Sequence, residues 1–88
     1  MDMKYVYRKN SQIMDREMDD GPVLIDPYRR TLVRLNPAAH RIWQLLDGQR
    51  SAEGIIKIME AEFEIDAKSL QNDVAGFLKE LQKREIIK

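Results

Sequence analysis

The stretch LNPAAHRIWQLLDG, residues 35–48, decides how this chain folds. Asn36 is a good helix N-cap, and Pro37 suits the first helical position because its missing N–H would have no helical partner there. The apolar residues that follow recur at helical spacing, and they are Ile42, Trp43, Leu45 and Leu46. Gly48 then favours a left-handed stop. We therefore predict a helix that begins at Pro37 and ends before Gly48.

Two more helices are predicted downstream. Ser51 is a suitable N-cap for the second helix, and Glu53 in its first turn suits the helix dipole. The third is predicted to start after Asp66 and to run to about Arg84, with one apolar stripe. That stripe consists of Leu70, Val74, Phe77, Leu78 and Leu81. The final Ile86–Ile87 pair is expected to fold back onto the core.

The residues before Leu35 favour strands. Tyr5–Tyr7 is rich in β-formers, residues 12–18 alternate weakly, and short apolar runs occupy residues 23–25 and 31–35. Turn signals separate these runs at residues 19–21 and 26–29, where Gly follows two Asp residues and Pro follows Asp. We predict an antiparallel meander over about residues 5–35, helices over about 37–84, and one α+β domain spanning residues 1–88.

The composition excludes several classes of function. Fifteen basic and fifteen acidic residues cancel, so the chain has no net field to attract nucleic acid or an anionic membrane. There is no cysteine, which excludes disulfides, thiolate metal sites and a cysteine nucleophile. His40 has no partner at metal-ligand spacing, and no serine lies in a nucleophile elbow. We expect no enzyme activity, no metal and no cofactor.

The expected location is the cytoplasm. The N-terminal stretch Met1–Lys4 leads into no apolar run of the kind that indicates a signal sequence. No apolar stretch approaches the roughly 20 residues that a membrane span requires.

A binding surface remains as the candidate function. A short sheet has edges, and an edge strand offers unpaired N–H and C=O groups in register. The predicted third strand, Thr31–Leu35, carries Arg30 and Arg34. These arginines either attract an acidic peptide or only protect the edge from aggregation, and the sequence leaves both possibilities open.

Three stretches of the sequence resemble the PqqD-like family. Residues 35–48 are similar to its "LN-x-x-(A/G)-x-x-IW-x-L-x-DG" core, residues 21–25 to its glycine-then-apolar strand, and residues 73–81 to its "D-V-x-x-F-L-x-x-L" stripe. Glu85 departs from the family, which commonly has glycine there. The resemblance covers about Tyr5 to Ile87.

The resemblance implies a three-stranded antiparallel sheet followed by three helices in a winged-helix-like arrangement. It also implies an adaptor that binds the leader segment of a ribosomally made precursor peptide and presents it to a radical SAM enzyme or a leader peptidase. The leader would add as a strand beside the third strand and lie against the third helix. The predicted peptide-binding residues are Arg30, Thr31, Leu32, Val33, Arg34, Leu35, Asp73, Phe77, Glu80 and Arg84.

Some alternatives stay open. The opposite flank of the third helix, with Gln71, Ala75, Leu78 and Gln82, could face the peptide instead, and Phe77 could be a core ring. A winged-helix DNA-binding protein is the second candidate function, although Asp73 and Glu80 dilute the basic residues on the third helix. A subunit that only stabilises a large enzyme is the third. A homodimer formed through the edge strand is also possible.

Overall fold

The computed structural model describes residues 3–88. The first two residues of the Met1–Lys4 stretch, in which a signal sequence would begin, lie outside the described residues. It has three strands followed by three helices: β1 Met14–Met18, β2 Gly21–Asp26, β3 Thr31–Arg34, α1 Pro37–Leu45, α2 Ala52–Phe63 and α3 Ala67–Lys83. The predicted α+β class is confirmed. The predicted third strand was one residue too long, because Leu35 lies beyond its end.

The sheet is an antiparallel meander with the order β1-β2-β3. The first turn is followed by Gly21 at a φ of 122°, a conformation that favours glycine. In the second turn the Asp26 carboxylate accepts from the N–H groups of Tyr28 (3.0 Å) and Arg29 (3.2 Å). Burial raises the pKa of Asp26, but these N–H groups and the Arg29 guanidinium outweigh burial and leave that pKa below its usual value.

The helices begin where their caps predict. Asn36 accepts from the N–H of Ala39 at 2.8 Å, Ser51 from that of Gly54 at 3.2 Å, and Asp66 from that of Ser69 at 3.0 Å. Each such cap is worth about 1 kcal/mol of helix stability. At the other end of α3, Glu85 has a φ of 60°. The backbone therefore adopts, at Glu85, the left-handed conformation that a glycine would favour.

The core lies between one face of the sheet and the three helices. Trp43 is its aromatic anchor, 3% exposed, and its indole N–H donates to the Asp15 carboxylate at 2.9 Å. The Nζ atom of Lys9 lies 4.4 Å from the centre of the Trp43 ring. Burial lowers the pKa of Lys9, although the charges of Asp15 and Asp47 oppose this shift. The other buried members of the core include Leu24, Leu35, Ile42, Leu46, Ile55, Met59, Leu70, Val74, Leu78 and Leu81.

The N-terminal segment corrects one expectation. Tyr5–Tyr7 forms no strand, although its residues favour one. The C=O of Tyr5 accepts instead from the N–H of Ala52 at 3.2 Å, and Tyr7 is buried in the core. Farther along, Lys9 pairs with Ile87 in an isolated antiparallel bridge. The N-terminal segment therefore runs beside the C-terminus, and the expected return of residues 86–87 to the core is confirmed, since both are 1% exposed.

Candidate functional site

The register of β3 determines which backbone groups it offers outward. The N–H of Leu35, just past the strand, donates to the C=O of Pro22 at 3.0 Å. Hydrogen-bonded and non-hydrogen-bonded pairs alternate along an antiparallel ladder. Val33, opposite Leu24, therefore directs its N–H and C=O toward β2. Leu32 and Arg34 direct theirs away from the sheet, so the β3 edge carries two residues with outward donors and acceptors.

The opposite edge of the sheet, along β1, is less open. There the same alternation directs the backbone groups of Asp15 and Glu17 outward. The guanidinium of Arg16 donates to the C=O of Asp15 at 2.8 Å, which occupies one of these acceptors. The Asp15 carboxylate is engaged by the Trp43 indole, but the exposed side chain of Glu17 adds a charge beside this edge, and charged side chains discourage the pairing of a further strand. Among residues 3–88, β3 therefore offers the more accessible edge.

The C-terminal end of α3 is held close to the turn that precedes β3. Arg29 in that turn forms an ion pair with Glu85, which lies two residues past the end of α3. Val33 on β3 and Phe77 on α3 are both half-buried and both pack against the core. Each therefore has an apolar surface that remains accessible. Part of the Phe77 side chain packs against the core and part is exposed, and its contact with a peptide stays a prediction.

The predicted site residues fall into three groups. Arg30, Thr31, Leu32 and Arg34 are exposed around the β3 edge, and Asp73, Glu80 and Arg84 are exposed on α3. Val33 and Phe77 are half-buried between these two sets and the core. Leu35 differs from the rest, because its side chain is 7% exposed and its N–H is already bonded. On the alternative flank of α3, Leu78 is fully buried and available only to the core.

Ion pairs engage several of the charged candidates. Arg34 is paired with Asp20, and its hydrogen bond and positive charge lower the pKa of that carboxyl group. Arg84 donates to Glu80 at 3.0 Å one helical turn away. Arg30 has no ion pair within the described part of the chain, and its backbone has a φ of 53°. Arg30 therefore keeps an uncompensated positive charge at the start of β3.

Two features of the site were beyond the sequence reasoning. One is the hydrogen bond from the Arg16 guanidinium to the C=O of Asp15, the preceding residue. This bond blocks the β1 edge only because that carbonyl points outward. The pair between Arg29 and Glu85 joins residues 56 positions apart. No local pattern signals either contact.

A family model described as "Coenzyme PQQ synthesis protein D (PqqD)" matches residues 21–87. The chain belongs to the PqqD family. This match begins at the first residue of β2 and includes all three helices, so it covers both elements of the site, β3 and α3.

The PqqD-family chain is similar to a curated relative, the PqqA binding protein of Acinetobacter baylyi. The two are 38% identical over 60 residues, which are 68% of this chain and 60% of that protein. The chain thus spans about three fifths of the length of the curated relative it matches. The name of that relative states that it binds PqqA.

Two solved structures share the fold. "Lasso peptide synthetase B1 complexed with the leader peptide" matches with a TM-score of 0.84 at 23% identity, over 96% of this chain and 99% of that one. "TbiB1 in Complex with the TbiA(beta) Leader Peptide" matches with a TM-score of 0.81 at 26% identity, over 92% and 94%. The predicted sheet and three-helix arrangement is confirmed by this likeness. These matches give no support to the DNA-binding alternative.

The described residues form neither a membrane-spanning helix nor a cluster of metal ligands. No helix in residues 3–88 is long and apolar enough to cross a membrane. Within the same part of the chain, no three His, Asp or Glu side chains lie close enough together to hold a metal ion.

Proposed function

We propose that this protein is a non-catalytic adaptor that binds the leader segment of a ribosomally synthesised precursor peptide and presents it to a modifying enzyme. The leader adds to the sheet as a strand beside β3. Strand addition draws its affinity from main-chain hydrogen bonds and its selectivity from pockets for alternate side chains. The observation that carries the proposal is the open β3 edge, where Leu32 and Arg34 direct their backbone groups outward.

The comparisons support the same assignment. The curated relative is named as a binder of PqqA, and both solved structures are described as complexes with leader peptides. Those descriptions belong to the relatives. The features of this chain that agree with them are the membership of the PqqD family and the accessible edge of β3.

The proposed contacts divide into backbone and side-chain roles. Leu32 and Arg34 supply the backbone donors and acceptors, while Thr31 and Val33 keep theirs within the sheet. The half-exposed surfaces of Val33 and Phe77 provide apolar contacts for leader side chains. The charged contacts come from Arg30, Asp73 and the pair formed by Glu80 and Arg84. Leu35 contributes only by holding the end of β3 against Pro22.

The partner enzyme is a radical SAM enzyme or a leader peptidase, and the adaptor itself supplies no catalytic group. A cytoplasmic location agrees with the absence of cysteine, since an oxidising compartment favours disulfides in small domains. The domain spans residues 1–88.

A second copy that paired along β3 would compete with the leader for the same edge, so a homodimer and a leader complex exclude each other at that edge.

Residue-resolved hydrogen exchange tests the proposal. The probes are the PqqA peptide of Acinetobacter baylyi and a display library of short peptides encoded in the genome that carries this chain. In the free protein, the amides of Thr31 and Val33 should exchange slowly and those of Leu32 and Arg34 rapidly. A bound leader should slow exchange at Leu32 and Arg34. Saturable binding that leaves both of these amides unprotected, or no binding from either source, contradicts the proposal.

A further inference from the structure

The face of the sheet that points away from the helices has its own apolar surface. Side chains alternate between the two faces of a strand. The register therefore places Met14, Arg16 and Met18 of β1, Val23 and Ile25 of β2, and Leu32 and Arg34 of β3 on one side, called here the outer face. None of these side chains belongs to the core cluster.

Exposed apolar side chains concentrate on this face. Among residues 3–88, six large apolar side chains are exposed, and three of them are Met14 (37%), Met18 (49%) and Leu32 (48%). A fourth, Tyr28, lies in the turn at one end of the face. Val23 is only 2% exposed although it lies on this face and outside the main core cluster. In a chain with 34% charged residues, this concentration marks an interaction surface.

The charges of the outer face favour a different protein over a second copy. The Arg16 guanidinium donates to the Asp15 C=O and lies 3.9 Å from the Met14 sulfur, and it has no carboxylate partner among the described residues. The strand residues on this face include no acid, and its other arginine, Arg34, is already paired with Asp20 in the turn. A second copy packed face to face would add another unpaired arginine. A partner with a carboxylate beside an apolar centre would complement the face.

Leu32 connects the outer face to the proposed leader edge. Its side chain stands on the outer face, while its N–H and C=O point toward the space where the leader would add. A protein docked on the outer face would therefore lie directly beside the bound leader. Three strands of about five residues cover roughly 240 Å² at ordinary strand spacings. This is about a third of the 800 Å² per partner of a standard stable interface, so contact through the face alone would be transient.

We propose that the outer face docks the enzyme that modifies the bound precursor, through an apolar patch on that enzyme which carries a carboxylate opposite Arg16. This inference rests on the proposed leader binding and adds to it a second surface, the outer face, which meets the β3 edge at Leu32. Weak docking of this kind suits an adaptor that must release the modified product and accept a new precursor.

Photo-cross-linking in cells identifies the partner. A p-benzoylphenylalanine incorporated in place of Met18 should cross-link a protein that, once purified, modifies the leader-bearing precursor. The matched control carries the same group in place of Ile65, which is 39% exposed but lies between α2 and α3. Cross-linking at position 18 to a second copy only, to nucleic acid, or to nothing refutes the proposal.

Titration of the purified enzyme then measures the docking. Met18→Asp and Arg16→Glu should weaken enzyme binding by about tenfold or more, Arg16→Lys should largely retain it, and Ile65→Asp should leave it unchanged. All four variants should bind the leader peptide within about twofold of the wild type. Unchanged enzyme affinity in Met18→Asp overturns the inference while leaving the proposed function intact. Failure of the wild-type protein to bind a leader overturns both.

Discussion

Paired proline substitutions in β3 test the site most directly, because adjacent residues of this strand direct their N–H groups in opposite directions. In Val33→Pro the lost N–H belongs to the ladder with β2. The change removes a bond worth about 1 kcal/mol and leaves the C=O of buried Leu24 without its partner, at a further ~1–3 kcal/mol. The expected loss of about 2–4 kcal/mol is a large part of the ~4–13 kcal/mol typical of a chain of this length.

Leu32→Pro should behave in the opposite way. The N–H of Leu32 points outward, so no internal hydrogen bond is lost and the cost to stability should stay below about 1 kcal/mol. Leader binding would lose one main-chain bond and leave a leader carbonyl facing the proline ring, which together cost about 2–3 kcal/mol. That penalty corresponds to a roughly 30- to 150-fold weaker affinity.

Two measurements separate these outcomes. Urea unfolding followed through the fluorescence of buried Trp43 gives the free energy of unfolding, and anisotropy of a labelled leader peptide gives the affinity. Thr31→Ala is the matched control, because it changes a side chain of the strand and leaves the backbone donors intact. A folded Leu32→Pro protein with undiminished leader affinity would refute strand addition at β3. A stable Val33→Pro protein that no longer binds leader would show that the N–H directions are reversed.

The remaining predictions use the same assays. Asp73→Ala should leave the urea midpoint unchanged and weaken leader binding; equal affinity removes Asp73 from the site. Phe77→Ala should lower both leader affinity and stability. The stability loss should be about half of the 3–5 kcal/mol that a fully buried ring contributes. A loss of stability alone makes Phe77 a core residue. Because the folded-state pKa of Asp26 is lowered, its contribution to stability exists above about pH 4 and fades as pH falls through the folded value. Asp26→Asn should therefore be less stable than the wild type at pH 7, and urea titrations should show this difference shrinking as pH falls below about 4. Duplex DNA should bind weakly at ~0.15 M salt by anisotropy, and micromolar binding would revive the winged-helix alternative.

The helical half of the fold follows from short-range signals. Asn36, Ser51 and Asp66 each accept a hydrogen bond from the N–H three residues later, as their positions before apolar runs predicted. Such contacts span a single helical turn and depend on no other element. The N-terminal strand prediction failed at Tyr5–Tyr7 because propensity favours an extended chain without specifying a partner. The C=O of Tyr5 accepts from the N–H of Ala52, which lies far away in the sequence.

The sequence by itself determined the helix starts, the turns, the absence of cysteine chemistry and the resemblance that pointed to the PqqD family. Tertiary structure alone decided which sheet edge is open, which amides of β3 point outward, and that Met14, Met18 and Leu32 share one exposed face. The physical reason is the period of two in a strand. A shift of one residue in pairing would exchange inward and outward groups throughout β3, and only the packing of Leu24, Val33 and Leu35 against the helices selects one register.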